Sequence, residues 1–227
     1  MTAGAHGPAV DRHEFLALLS LEEIDELRRR GRRRHWPRGA ALFTEGAPSD
    51  VVIILLSGRV KVYSLTEFGG EVVLALRGPG ALLGDLAAID GRPRSASVTA
   101  LEPVDALVLT APAFIDYLET TPRVTVVLLR MLTGRLRDAD RKRVEFGAHD
   151  TAGRVARRLV ELAERFGERA EDGVRITVPF TQDELAGWVG SSREAVTKAL
   201  SRLRARGYIH TQRRTITVLD LDALRRL

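Results

Sequence analysis

GDLAAIDGRPRSASV, residues 84–98, packs two glycines, a proline, two arginines and two serines around one short acidic and apolar run. Gly84 permits a tight turn, and Asp85-Leu86-Ala87-Ala88 then opens a helical turn whose backbone N–H groups point at an anion. After the Asp90-Gly91-Arg92-Pro93 loop, Arg94 and the Ser95 hydroxyl supply charge-assisted hydrogen bonds to the same anion. Asp85 accepts from a sugar hydroxyl, so the set suits a sugar phosphate. The neighbouring GPGALLG, residues 78–84, imitates a glycine-rich dinucleotide loop, but its spacing is wrong and DGRPRS stands where a long helix should follow.

The surrounding sequence, residues 36–110, alternates glycines with strand-length apolar runs: VVIILL, RVKVYSL, EVVLALR, SASVTAL and VDALVLT. Such spacing predicts an antiparallel sandwich, barrel or jelly roll. FLALLSLEEIDELRRR before it reads as one or two short helices. After Pro122 the texture becomes helical to about Phe146, and Leu129, Leu132, Leu136 and Ala139 repeat at the 3-4-3 spacing of a helix-pairing seam. A dimer interface is expected there; an amphipathic helix packed on its own domain is the plainer alternative.

Beyond Asp150, residues 153–169 have helical periodicity, EDGVRITVPF reads as a turn and strand, and TQDELAGWVGSSREAVTKALSRLRARG holds two successive helices. Thr181 with Glu184 and Ser191 with Glu194 have the form of capping boxes opening the two. Gly190 sits in the turn between them, and Gly207 stands where a left-handed cap closes the second. This is helix-turn-helix spacing. Ala195, Val196, Ala199, Leu200 and Leu203 form one face of the second helix, leaving Arg193, Glu194, Thr197, Lys198 and Ser201 on the other. That second face suits a DNA major groove: Arg pairs with guanine O6 and N7, Glu accepts from cytosine N4, and Lys reaches guanine or a phosphate. Thr181, Ser192 and Arg202 are expected on phosphates. YIHTQRRTITV reads as a two-stranded wing with Arg213 and Arg214 at its tip.

Composition agrees with two domains and an anionic partner. The chain has 227 residues, 44% of them hydrophobic, and its 35 Lys and Arg exceed its 30 Asp and Glu by only five. The basic residues cluster, however: residues 28–38, RRRGRRRHWPR, hold seven Arg and no acid, and residues 193–214 hold seven Lys or Arg against Glu194. The first cluster reads as a solvated face between the early helices and the first strand, with DNA or polymerase as the alternative. The absence of Cys removes disulfides and cysteine-ligated metal centres. No metal is expected, since His6, His13, His35, His149 and His210 lack ligand spacing. Without an apolar leader or an apolar run longer than VVIILL, neither export nor a membrane span is expected, and the protein is placed in the cytoplasm. No nucleophile elbow, P-loop, HExxH or kinase signature points to an enzyme.

The cassette at 84–98 resembles the phosphate-binding cassette of cyclic-nucleotide-binding domains, and the tail resembles the helix-turn-helix of the cyclic-AMP receptor protein and FNR (CRP/FNR) family of bacterial transcription regulators. The likeness runs over residues 12–219, with both motifs in the family's order. It implies an α+β protein: a cyclic-nucleotide-binding β jelly roll at 1–121, a long dimerisation helix at 122–147 and a winged helix-turn-helix at 148–227. It further implies a homodimer on double-stranded DNA with a two-fold operator, RNA polymerase as a partner, and cAMP or cGMP as effector. Arg94 and Ser95 would then hold the cyclic phosphate beside Gly84 and Leu86, Asp85 the ribose 2′-hydroxyl, and Arg193, Glu194 and Lys198 the bases of DNA. Arg135 falls where the family has an Arg near the ribose carboxylate. Two departures stand out. The family's usual ribose-binding Glu is Asp85 here, and the Thr-Ser or Thr-Asn pair that meets adenine is Ala139 and Asp140. Asp140 can accept from adenine N6 or from guanine N1 and N2, or pair with Arg137 or Arg143 on its own helix. A DNA-binding regulator with a vestigial pocket, acting without nucleotide or with another effector, is the alternative.

Overall fold

A computed structural model describes residues 14–67, 70–178, 180–212 and 215–227. Its contacts divide the chain into two units: residues up to Ser64 with Leu74–Arg137, and Leu65–Val73 with Asp138–Leu227.

The first unit is built around the VVIILL run. This becomes β3 (Val51–Ser57), and the run is continuous because both of its faces are buried. Val52 and Ile54 pack with Phe15, Leu27, Phe114 and Tyr117, whereas Ile53 and Leu55 pack with Trp36, Phe43, Val60 and Val98. One four-stranded sheet runs β1 (Arg32–Trp36), β8 (Val104–Thr110), β3, β6 (Leu82–Leu83). The other runs β2 (Ala41–Phe43), β7 (Ser97–Ala100), β4 (Val60–Leu65), β5 (Glu71–Arg77). Antiparallel ladders join β1 to β8 and β8 to β3, and β4 to β7. These two sheets, closed by side chains between them, form the jelly roll.

Helices cover the outer face of the first sheet. A 3₁₀ turn (Phe15–Leu18) precedes α1 (Leu21–Arg30), which opens on a capping box of Ser20 and Glu23. Next come α2 (Asp85–Asp90), α3 (Ala111–Thr120) and α4 (Pro122–Ala148). Two expectations change here. The basic run at 28–38 does not lie between the early helices and the first strand; it supplies the last turn of α1 and the first strand itself, with residues 32–35 exposed on the sheet edge, as a solvated face, and Trp36 buried. Cationic edges of this kind discourage pairing with another chain. The seam on α4 also changes: Leu132 packs on the core of its own unit, leaving Val126, Leu129, Leu136 and Val144 as the exposed large apolar positions.

The second unit comprises α5 (Thr151–Phe166), β9 (Gly167–Ala170), β10 (Gly173–Ile176), α6 (Gln182–Val189), α7 (Arg193–Ala205), β11 (Ile209–Gln212), β12 (Thr215–Val218) and α8 (Leu221–Arg225). The helix expected over 153–169 stops at Phe166, because Gly167 enters a strand whose partner is β10. The wing is therefore one hairpin, β11 and β12, of a four-stranded sheet in the order β11-β12-β10-β9. Val155, Leu159 and Leu162 of α5 are buried, as are Leu185 and Val189 of α6 and Val196, Leu200 and Leu203 of α7. Among the described residues no helix is long and apolar enough to cross a membrane.

Tyr117 of α3 is fully buried, and its hydroxyl donates to the carbonyl of Glu23 at 3.1 Å. Burial first, and then the carboxylates of Glu23 and Glu26, push its phenol up to about 12. Because the folded value lies above the unfolded one, the neutral phenol stabilises the fold fully below about pH 10, and this contribution is lost as pH rises towards 12. Ultraviolet titration should show a late phenolate step near 12 that Tyr117→Phe removes.

Candidate effector pocket and nucleic-acid interface

Gly84 caps α2 with φ of +80°, a left-handed conformation that L side chains rarely adopt, and Gly91 closes the same helix with φ of +69°. A Cβ on Gly84 would overlap the Arg94 guanidinium and press on the Phe43 ring. The helix and the arginine therefore meet because residue 84 has no side chain. The Arg94 backbone is pinned in turn, its N–H donating to Ala47 and its carbonyl accepting from Gly46, both at 2.9 Å.

Arg94 is the unusual group in this unit. It is only 5% exposed, lies flat on Phe43 with its guanidinium carbon 3.8 Å from the ring centroid, and donates to the carbonyls of Val51 at 2.6 Å and Gly84 at 3.3 Å. Its nearest carboxylate, Asp50, is 3.8 Å away and largely exposed. Burial lowers its pKa from the ordinary arginine value, with Asp50 opposing only in part. A cation so placed is solvated mainly by dipoles and an aromatic face, with only the exposed Asp50 carboxylate at 3.8 Å to offset its charge.

A cavity of about 120 Å³ opens beside it, lined by Gly84, Asp85 and Leu86 of the α2 turn, by Arg94 and Ser95, and by Arg135. Asp85 is 3% exposed and receives Arg135 at 2.9 Å; the same guanidinium donates to the carbonyl of Leu82 at 3.0 Å. Leu86 and Ser95 are exposed. The structure thus brings six of the eight expected effector residues to one cavity. Ala139 and Asp140 are exposed on α4 and line no part of it, and Asp140 pairs with neither Arg137 nor Arg143. Two contributors were missed. Phe43, the platform under Arg94, looked like one more strand residue, and Arg77 lines the cavity from the end of β5. Strand alternation carries the signal for Arg77, since Ala75 and Arg77 share a face.

In the second unit the Thr181 and Glu184 capping box is present in both directions at the start of α6, and Gly190 ends that helix in the left-handed region. The cap of α7 is shifted by one residue from expectation. Ser192, not Ser191, accepts from the N–H of Ala195 at 3.2 Å, while Ser191 bonds the Thr151 hydroxyl at 3.0 Å. Extended backbone at Ser192 brings its hydroxyl over the first turn. Gly207, at φ of +73°, closes α7: its N–H meets Arg204 O at 3.0 Å and the Tyr208 N–H meets Leu203 O at 3.1 Å. Arg154 of α5 holds the end of α6, donating to Val189 O at 2.9 Å, and buried Arg158 stacks 4.8 Å from the Trp188 ring centroid.

These contacts fix the exposed face of α7. Arg193, Glu194, Thr197, Lys198, Ser201 and Arg202 are exposed, opposite buried Val196, Ala199, Leu200 and Leu203. Arg193 lies 3.6 Å from Asp183, an exposed pair of little strength. Thr197 is committed to Gln182 at 2.8 Å and to the Arg193 carbonyl, so it joins α7 to α6. Glu194 has its carboxyl held below the ordinary range, first by its own backbone N–H and then by Ser192, Arg193 and Lys198, and so is an acceptor at neutral pH. Thr181 is exposed at the start of α6. Arg213 and Arg214 lie outside the described residues. Among the described residues no group of three metal-ligating side chains occurs.

A jelly roll with a phosphate-type cassette and a helix-turn-helix with a basic recognition face define a ligand-domain transcription regulator. Residues 33–121 match the cyclic nucleotide-binding domain and residues 153–227 the Crp-like helix-turn-helix domain. The chain is 36% identical over 84% of its length, and 85% of the relative's, to the CRP-like cAMP-activated global transcriptional regulator of Mycobacterium tuberculosis. It is 30% identical to the cyclic AMP receptor protein of Thermus thermophilus, over 91% of this chain and 92% of that one. The solved c-di-GMP-responsive global regulator CLP of Xanthomonas campestris superimposes with a TM-score of 0.78 at 23% identity, over 88% of this chain and 99% of that one. The protein belongs to the CRP/FNR family of transcription regulators.

The shifted cap is testable. Ser192→Ala should destabilise the second unit by about 1 kcal/mol in denaturant unfolding, within the usual cost of a lost N-cap. Ser191→Ala leaves the cap of α7 in place, and a larger loss there than at Ser192 contradicts the assignment.

Proposed function

We propose that this protein is a homodimeric, sequence-specific DNA-binding regulator whose hold on a two-fold operator is set by a cyclic nucleotide in the Arg94 cavity. The observation that carries the reading is buried Arg94, a guanidinium beside a cavity whose carboxylate neighbour, Asp50, stands 3.8 Å away and is largely exposed. A cyclic phosphate supplies a closer anion, with the Ser95 hydroxyl and the N–H groups of Asp85 and Leu86 as further donors. Asp85, oriented by Arg135, accepts from the ribose 2′-hydroxyl. The cAMP-responsive relatives support this class of ligand.

On the DNA side, Arg193, Glu194 and Lys198 face the base edges, and Thr181, Ser192 and Arg202 take phosphates. Thr197, being engaged with Gln182, sets the angle between the helices and leaves reading to its neighbours. Two copies of α7 address half-sites about 34 Å apart when α4 pairs with its twin. Ligand acts only through its differential affinity for the arrangements of that pair.

The small cavity favours a competing reading. At about 120 Å³ it is below the usual size of a ligand pocket, roughly 300–1,000 Å³, as expected for a regulator that works without nucleotide. Calorimetric titration of nucleotide-free protein with cAMP and cGMP decides between them. Binding at micromolar or tighter affinity that Arg94→Leu abolishes, with salt-dependent non-specific DNA binding retained, is the expected result. An absence of heat with both nucleotides establishes the alternative. For DNA, Glu194→Ala should relax preference at one base pair per half-site, costing about 1–3 kcal/mol of discrimination; an unaltered selected-sequence profile removes Glu194 from base reading.

A further inference from the structure

The second unit holds a cavity of its own that the DNA-facing side of α7 leaves unused. It measures about 320 Å³, within the roughly 300–1,000 Å³ of small-molecule sites, and lies where the last turns of α4 meet α5 and α8. None of its lining residues belongs to α6, α7 or the β11 and β12 hairpin. Apart from Val160 its wall is charged. Five cations, Arg141, Lys142, Arg157, Arg158 and Arg225, stand against three carboxylates, Glu145, Glu161 and Glu164.

The outer cations are already paired. Arg225 bonds Glu164 at 2.7 Å and Asp222 at 2.8 Å, and Arg141 bonds Asp138 at 2.8 Å. Lys142, Arg157 and Arg158 then face Glu145 and Glu161, an excess of one positive charge. Their pairing is incomplete. Arg158, 6% exposed and stacked on Trp188, engages Glu161 through one Nη atom, yet its buried Nε–H has no hydrogen-bond partner among the described residues. The buried Nε–H of Arg157 has none either. Glu145 stands 3.8 Å from the Arg157 guanidinium and 4.0 Å from that of Arg141, beyond a hydrogen bond to either. Buried donors left unmade are costly, and more so on charged groups.

These two donors select the chemistry of a ligand. Successive residues of a helix point about 100° apart, so the two guanidinium groups approach a shared ligand from different sides. A flat carboxylate offers its pair of oxygens to one arginine fork, whereas a tetrahedral phosphate offers oxygens to two at once.

We propose that this cavity is a second anion site, separate from the effector pocket, in which a phosphate group is held between Arg157 and Arg158 with Lys142 as a third cation. Its volume leaves space for the organic part of a phosphate monoester. Because Lys142 belongs to α4 and both arginines to α5, the bound anion fastens the end of one helix to the next.

The test is calorimetric titration of the full chain, in chloride buffer, with inorganic phosphate and with glycerol 3-phosphate. Native protein is compared with Arg157→Gln, Arg158→Gln and Arg94→Leu, each checked for folding by its melting curve. Saturable binding is expected, weakened about tenfold or more by either glutamine, the usual weight of one charge-assisted hydrogen bond. Tighter binding of glycerol 3-phosphate assigns the site to a monoester, and tighter binding of inorganic phosphate assigns it to the free ion. If Arg158→Gln loses its fold along with the Trp188 stack, Arg157→Gln decides alone. Binding unchanged in a folded glutamine variant overturns the proposal. Binding lost in Arg94→Leu but intact in Arg157→Gln places the phosphate in the effector pocket and overturns it equally, as does an absence of heat with both probes at millimolar concentration.

Discussion

The arrangement around Arg94 is the constraint on which the ligand-binding half of this protein turns. A guanidinium almost removed from water must be compensated, because an isolated buried charge costs several kcal/mol even after relaxation. Here the compensation comes from distant pieces of chain: the end of a core strand through Val51, the cap of α2 through Gly84 and the ring of Phe43 from the other sheet. Each piece is held by its own reasons, β3 by burial on both faces and α2 by a glycine that no other residue replaces without overlap. The site is therefore organised before any anion arrives, and an anion entering it trades few protein contacts for a strong charge-assisted bond.

The DNA-binding half is governed by a different economy, that of helix ends. Most of α7 is exposed, and its direction depends on a few terminal contacts: Ser192 at its start, the Gly207 closure at its end, and Thr197 against Gln182 between. Arg154, reaching the last carbonyl of α6, and Arg158, stacked on Trp188, tie the pair to α5. A recognition face needs this fixity. Bidentate contacts to base edges tolerate little angular error, so under the proposed reading, residues that touch no base still decide how well Arg193 and Glu194 would reach theirs.

Much of this was legible in the sequence because local rules and tertiary packing agree. Period-2 runs between glycines became strands, the capping residues opened α6, and the left-handed glycines closed α6 and α7 where expected. What escaped shows where local rules fall silent. The Arg32–Trp36 strand has almost no apolar signal, since residues 32–35 meet water at a sheet edge and the pairing with β8 comes from about seventy residues away. Ser191 and Ser192 are equally good caps by type, and only the backbone between them decides. Leu132 matches the pairing seam by spacing, but the turn of α4 aims it into its own unit's core. In the pocket, the G-D-L-A and R-S motifs are contiguous and so visible. Phe43 and Arg77 are brought in by the sheets and carry no motif of their own.

The exposed positions on α4 connect the two halves of the proposed mechanism. Val126, Leu129 and Leu136 are 45%, 58% and 63% exposed, and following their three- and four-residue steps along the helix leads to Asp140 and then to Val144, 70% exposed. A seam interrupted by a charged residue pairs less firmly at that turn, because charged residues at core seam positions cost stability. Arg135, one residue before Leu136, is held by Asp85 in the cavity, so the cavity abuts the turn of α4 just ahead of that charged position. In the proposed dimer, a ligand in the cavity biases the helix pair only to the extent that it binds one arrangement more tightly than the other.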